Sequence, residues 1–477
     1  MRRLLYLILM ILTFAFQSNA QKKWTLEECI NYALENNIQV KQSQLLSESD
    51  KVTALQSKLG TLPTVNGSVS HNYNWGRNID PTSNTYTDEQ TQSNSFALTS
   101  SIDIFNGFQK LNTIRQSESN YKASRYELEK MKNDIALRIA QAYMQILFNK
   151  EQLEISLNQV NISQLQIERT KKLVEAGTLA RGSLLDIQAQ GALEEANLVA
   201  AQNQLDLSYL DLVQLLDLKS VNDFDITKPD IKVENEVTLI PTNQIYAYSS
   251  TVMPEIKSAE FRLESSYRGL AIARSYRYPS LSLSGYYGSN YADNFLDYTN
   301  PKSISVFNNM PTNYTLPSTG EAIVQKVTSY EFEKMSFKDQ LDKNLSKSLR
   351  FSLNIPIFNG YQVNAGVKKA KLNALNAEYN LQLTKNQLLK NIEQAYADAQ
   401  GAFKSYKASQ KAVASYQEAF NYTQQKFDVG MINSIDYNDA KNKLVKAESD
   451  LLKAKFNFVF KKIVLDFYQG NPLTLSK

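Results

Sequence analysis

The sequence predicts a mainly α-helical, internally duplicated chain whose very long helices are interrupted by four amphipathic strands of membrane type. Three observations carry that prediction. The 477 residues include only 16 Gly and 11 Pro, well below the usual ~7% and ~5%, so few positions break a helix. The run Ile104-Phe105-Asn106-Gly107 returns 253 positions later as Ile357-Phe358-Asn359-Gly360. Four short segments alternate apolar and polar side chains with a period of two, the signature of a strand with two unlike faces. Composition also excludes whole classes of function. The single thiol, Cys29, rules out an intrachain disulfide framework, and His71 is the only histidine. Fifty-two basic against 48 acidic residues leave a formal net charge of +4, which gives a nucleic-acid partner no electrostatic support. No phosphate loop, metal-ligand set or nucleophile–base pair is present. The sequence therefore predicts neither an enzyme, a cofactor nor a metal site.

Taken in order, the chain opens on Arg2 and Arg3, a 13-residue apolar run from Leu4 to Phe16, and Ser18-Asn19-Ala20. That is the pattern of a signal peptide over 1–20, too short for the ~20 residues a membrane-spanning helix needs, and it predicts export. A first repeat follows over 21–221, with an opening helix, strands about 63–75 and 95–105, a long helix over 108–176 and a further helix over 183–217. A linker over 222–241 leads to a second repeat over 242–477. There the opening helix is followed by strands about 279–290 and 348–358, a long helix over 361–428 and a last helix over 434–468. The 253-residue shift also pairs Gln141-Ala142-Tyr143 with Gln394-Ala395-Tyr396, Gly177 with Gly430 and Asp186 with Asp439. Upstream the shift is 216, pairing Pro63 with Pro279, so 37 residues are inserted in the second repeat between Pro279 and Phe358.

From Phe108 to Ala176 there is no interior helix breaker, and a continuous helix of that length would reach ~100 Å. Met131, Ala142 and Leu153 are spaced by 11, as are Ile135, Ile146 and Leu157. That period follows a nearly straight helix rather than a left-handed coil. A second apolar set, with Leu137, Met144, Phe148, Ile155 and Ile162, implies neighbours on another flank, as in a bundle interior or the wall of a tube.

In the strands, Val65, Gly67, Val69, His71 and Tyr73 alternate with Asn and Ser, and Phe96, Leu98, Ile102 and Ile104 share a face. Leu281, Leu283 and Tyr287 alternate with Ser282, Ser284 and Tyr286, and Leu349, Phe351, Leu353, Ile355 and Ile357 with Arg350, Ser352, Asn354 and Pro356. Ordinary strands of a soluble sheet alternate in the same way. Export, four matched strands and the aromatics Tyr73, Trp75, Tyr286 and Tyr287, expected at a membrane interface, weigh toward a membrane barrel. The segments 76–94 and 291–345 would be exterior loops. Four strands cannot close a barrel, and open edges in lipid leave backbone groups unpaired at several kcal/mol each. Other copies must complete it: two would give eight strands, which enclose little beyond their own side chains, and three would give twelve, which can leave a passage.

With those features assembled, the chain resembles the TolC family of outer-membrane efflux proteins over nearly its whole length. The resemblance rests on the 253-residue repeat, the Ile-Phe-Asn-Gly after strands two and four, the opening Trp24-Thr25-Leu26-Glu27-Glu28, and Val429-Gly430-Met431 followed by Asp436 and Asp439. It implies a homotrimer with a 12-stranded barrel among outer-membrane lipid and a long α-helical tunnel across the periplasm of a Gram-negative bacterium. It also implies a periplasmic adaptor (a membrane fusion protein) and an inner-membrane transporter as partners, for which the chain would be the exit duct. The competing reading is an exported helical rod with soluble strands. Asp436 and Asp439 fall on one helix face. With Asp186 at the position of Asp439 in the first repeat, they are candidates for a pore constriction that favours cations. The other reading of the same residues is helix capping, with Ser434 as N-cap and Asp436 complementing the dipole. Where the family often carries an Asp–Arg link between its two turns, this chain has Ser183 and Ile432, so that lock is expected to be missing, with Arg181 nearby. The turns with Gly177 and Thr178, and with Gly430 and Met431, are candidate adaptor contacts, with C-capping as the simpler role. His71 is expected near lipid headgroups rather than on a metal.

Overall fold

A computed structural model of the chain describes residues 23–79, 85–88, 90–221, 224–229, 231, 233 and 239–474. The expected signal peptide over 1–20 and part of the linker lie outside the described residues. The elements are β1 (Lys23–Trp24), α1 (Leu26–Asn36), α2 (Ile38–Leu59), β2 (Thr64–Asn74), β3 (Asn78–Ile79), β4 (Tyr86–Thr87), β5 (Thr91–Asn106), α3 (Gln109–Glu175), α4 (Arg181–Leu215) and β6 (Asp225–Ile226). They continue with α5 (Thr242–Val252), α6 (Pro254–Ser275), β7 (Ser280–Ala292), β8 (Leu296–Thr315), β9 (Ala322–Lys334), α7 (Phe337–Lys343), β10 (Ser346–Asn354), α8 (Gln362–Asp428) and α9 (Ser434–Tyr468). Two compact units result. Of the described residues, a helical unit takes those up to Ala54, those within Gln116–Tyr267 and those from Leu372, and a sheet unit takes those within Leu55–Arg115 and Arg268–Lys371.

In the helical unit, α1 starts on a capping box. The Glu28 N–H donates to Thr25 Oγ1 at 3.2 Å and the Thr25 N–H to Glu28 Oε2 at 2.9 Å, satisfying two of the helix's orphan donors. One opening helix per repeat was expected, and each is broken once. Asn37 ends α1, accepts from the N–H groups of Gln39 and Val40, and donates to the Leu215 carbonyl at 2.9 Å. In the second repeat the break falls at Met253, because the proline at Pro254 cannot donate to the turn before it. On α3 the apolar stripe is buried at Ile135, Ile139 and Ile146, packed with Cys29, Ala33 and Leu212. Further along, Leu157 and Ile162 are exposed in the single chain. Burial, followed by the neighbouring Glu28 carboxylate, pushes the Cys29 thiol up to about 12, which makes it an inert core residue. The linker is not featureless, since β6 pairs in parallel with β1. Its Asp225 accepts from Lys150 Nζ at 2.5 Å and the Tyr209 hydroxyl at 2.6 Å. Burial alone would raise the Asp225 carboxyl, but these donors and the Lys150 charge outweigh it and hold the group at about 2.

The sheet unit is built on an antiparallel sheet of order β10-β7-β5-β2, so β10 and β2 are open edges. Its register sorts the side chains. Residues directly opposite share a face, which puts Phe351, Leu283 and Ile102 in one row and Leu349, Gly285, Ser100 and Val65 in the next. Between them, on the other face, lie Arg350, Ser284, Ser101 and Thr64. One face is thus apolar and the other lined by Ser, Thr and Asn. The apolar face is bare: Val69 is 73%, Leu349 76% and Phe351 68% exposed.

Four details differ from the sequence reading. A bulge between Asp103 and Phe105 puts Phe105, not Ile104, in line with Leu281 on the apolar face. β5 begins at Thr91 because both its neighbours extend to pair with it, and β10 stops at Asn354 because its partner β7 begins at Ser280. The segments read as exterior loops carry strands of their own, the short β3–β4 pair and the long β8–β9 hairpin. Most of the 37-residue insertion is that hairpin, whose register is interrupted four times. Behind it α7 is clamped to β7 by Gln340, whose side chain exchanges two 2.9 Å hydrogen bonds with the Ala292 backbone. Among the described residues no helix is long and apolar enough to cross a membrane, a statement that does not bear on the strands.

Candidate functional site

Two places answer to the residues singled out by sequence: the paired turns of the helical unit and the faces of the sheet. In each turn the long helix ends in a Schellman motif. Gly177, at φ 74°, donates to the Val174 carbonyl at 3.0 Å, and Thr178 to that of Leu173 at 2.9 Å. Gly430, at φ 76°, donates to Phe427 at 3.0 Å and Met431 to Lys426 at 2.8 Å. Only glycine holds that left-handed conformation without strain, so both turns need one. Val429 and Met431 are then left 70% and 74% exposed among the described residues.

α9 starts differently from the sequence reading. Its N-cap is Asn433, whose Oδ1 accepts from the Asp436 N–H at 2.9 Å, and not Ser434. Asparagine is the stronger cap of the two in this geometry because its carbonyl reaches the N3 N–H. Ser434 is buried instead and donates from Oγ to Asp186 Oδ2 at 3.2 Å, so the two repeats are joined here by a hydroxyl–carboxylate bond. The side chains of Asp436, Asp439 and Asp186 are exposed. Asp439 is neutralised in part by Lys443 at 2.6 Å, whereas the Asp436 carboxylate makes no ion pair among the described residues. Arg181 makes no ion pair among the described residues either.

Three contacts around the turns were missed in the sequence. Arg169 on α3 pairs with Asp428 on α8 at 2.7 Å. Tyr437 packs against Phe427 at 4.6 Å and Phe420 at 5.5 Å between ring centroids, with Ile187 beside them. Most consequential, Lys441 on α9 donates to Glu194 on α4 at 2.9 Å and to Ser163 on α3 at 2.7 Å, and Ser163 in turn donates to the second oxygen of Glu194. The Lys441 and Glu194 side chains are only 5% and 7% exposed. A signal existed: in the 253-residue register Lys441 stands opposite Gln188 and Glu194 opposite Ala447. Each repeat thus carries a charge that the other lacks.

On the sheet, Tyr73 and Tyr287 project from the apolar face, Tyr73 stacked on Trp75 at 5.9 Å and Tyr287 under the Lys347 ammonium at 5.4 Å. Tyr286 is on the opposite, polar face, opposite Ser348 and Thr99, with its hydroxyl over Gly288. It does not join the row expected at the membrane interface. His71 Nδ1 is hydrogen-bonded to Asn94 Oδ1 on the neighbouring strand, and no group of metal-ligating side chains forms among the described residues.

The profile of a family described as outer membrane efflux protein matches residues 29–217 and 252–466. The chain is similar to the outer membrane protein TolC of Vibrio cholerae, 24% identical over 355 residues that cover 74% of this chain and 69% of the relative. It is also similar to the alkaline protease secretion protein AprF of Pseudomonas aeruginosa, 19% identical over 444 residues, covering 92% and 82%. Among solved structures, the outer membrane channel CmeC of Campylobacter jejuni superposes with a TM-score of 0.73 at 20% identity, covering 95% of this chain and 87% of that one.

Proposed function

The chain belongs to the outer membrane efflux protein family, and on that premise we propose how its own residues build the duct. The protein is an outer-membrane exit duct of efflux or secretion systems that extends into the periplasm. Three copies close one barrel of twelve strands, with the apolar face of each sheet in lipid and the polar face lining the passage. The observation that carries this reading is the sheet itself. It has one bare apolar face, one face of Ser, Thr and Asn, and two unpaired edges, an arrangement stable in a hydrocarbon layer only when the edges are closed by further copies. A rod with soluble strands would have to leave that apolar face in water.

At the turns, the exposed Asp436, partly neutralised Asp439 and Ser434-bound Asp186 form the narrow, cation-favouring end of the passage. The bare Val429 and Met431, with Gly177, Thr178 and Gly430, receive the periplasmic adaptor that connects the duct to an inner-membrane transporter. Electron microscopy of the detergent-purified protein tests the assembly. A three-fold particle with a membrane-width barrel is the expected result, and a monomer soluble without detergent would overturn it.

A further inference from the structure

Among the paired residues of β2, β5, β7 and β10 only three carry a formal charge: Asp103, Lys347 and Arg350. Two are accounted for. Asp103 is held by Lys110 at 3.1 Å. Lys347 lies on the apolar face with its ammonium over the Tyr287 ring, where a long side chain at a strand end can snorkel toward the interface. Arg350 is different. It stands on the polar face in the row Arg350, Ser284, Ser101 and Thr64, exposed, with no ion pair or hydrogen bond among the described residues. One row along, Tyr286 lies flat over Gly288, where any side chain at 288 would collide with the Tyr286 hydroxyl. Tyr286 therefore leans away from the Arg350 row, and the carboxylate in the row on the other side, Asp103, is taken by Lys110.

We propose that Arg350 forms a cationic collar in the barrel passage that recruits solutes carrying an exposed carboxylate, sulfonate or phosphate. The inference rests on the three-copy duct described above. In it, three guanidiniums share one level; the other charge on that face, Asp103 in the neighbouring row Ser352, Ser282 and Asp103, is offset by Lys110, and a low-dielectric wall focuses the guanidinium field into the passage. The planar guanidinium offers paired donors that match an oxyanion in a way an ammonium does not. The collar is distinct from the acidic residues at the helix turns and acts in the opposite sense, so the duct carries two charge filters of opposite sign.

The test is the cation-to-anion permeability ratio, from reversal potentials across planar bilayers under a KCl gradient at low salt, where screening is weakest. The full-length protein is compared with Arg350→Gln, Arg350→Glu and Arg350→Lys. Each is also measured together with Asp436→Ala and Asp439→Ala, so that the narrow end does not mask the barrel. The ratio should rise about twofold in Arg350→Gln and further in Arg350→Glu, and stay near wild type in Arg350→Lys. Ser352→Glu, which keeps Arg350 but adds an acid on the same face of β10, should move the ratio the same way and guards against an assembly defect in the arginine variants. Wild-type current steps with a ratio unmoved in every variant would overturn the collar alone. Absence of wild-type steps would overturn the duct and the collar with it.

Discussion

Lys441 and Glu194 form the most deeply buried ion pair among the described residues, with both charges almost wholly removed from water and each satisfying the other. Ser163 completes the set by accepting from the lysine and donating to the glutamate. Desolvation makes such a pair a poor source of net stability, yet removing one partner strands the other as a buried charge. Lys441→Met should therefore destabilise the helical unit by about 3–5 kcal/mol, read as a lower thermal midpoint and faster proteolytic nicking near the turns. Lys441→Met combined with Glu194→Met should recover most of the loss, since no unpaired charge remains. A single substitution as mild as the double one would show that water reaches Glu194. At this scale the sequence was only partly legible. Asp436 and Asp439 could be placed on one helix face from their spacing. That Lys443 takes up Asp439 and that Ser434 meets Asp186 depends on which helices become neighbours, and spacing within one helix carries no such information.

The two turns are built alike but leave different surfaces. Both end a 67-residue helix in a Schellman motif. The first exposes Thr178, whose hydroxyl also donates to the Leu173 carbonyl at 2.8 Å, while the second exposes Val429 and Met431. Because backbone groups complete the motif, the exposed Met431 side chain is free to serve contact, and the Thr178 side chain can do so beyond its single bond to Leu173. Thr178→Trp with Met431→Trp should abolish transport in cells about tenfold or more, at the level expected for loss of an interface anchor, while trimers still form by native gel. Transport at wild-type level would place adaptor docking elsewhere. The helices themselves were legible because a breaker-free run and a repeat fix their extent. The break at Asn37 was not, since Asn37 acts through a contact with Leu215, 178 positions away, whereas the break at Met253 was marked in the sequence by Pro254 and was missed. The bulge at Ile104 was not legible either, since it shows only in how β5 pairs with β7, a strand of the other repeat.

At the scale of the whole molecule the duplication constrains more than the fold of one chain. The first repeat supplies β2 and β5 and the second β7 and β10, so the central β5–β7 pair joins the last strand of one repeat to the first strand of the next. The open edges β10 and β2 stand in the same relation between neighbouring copies. If that junction repeats the internal one, its register follows. Ser101 pairs with Ser284, and the shifts of 253 and 216 carry these two to Asn354 and Ser68. Stepping along the antiparallel ladder sets Leu353 opposite Val69 and Phe351 opposite His71, which keeps apolar residues on the apolar face as a one-residue slip would not. Directly opposite residues on antiparallel strands lie about 4.5–5.5 Å apart at Cα, within disulfide range. The double variant Leu353→Cys with Val69→Cys should therefore link copies under mild oxidation, seen as a covalent ladder up to three chains on non-reducing gels. Cys29, buried and held protonated, should not compete. Leu353→Cys with Tyr73→Cys, four residues out of register, should stay unlinked. Linking in that control instead would mean that the contact between copies is not a copy of the contact between repeats.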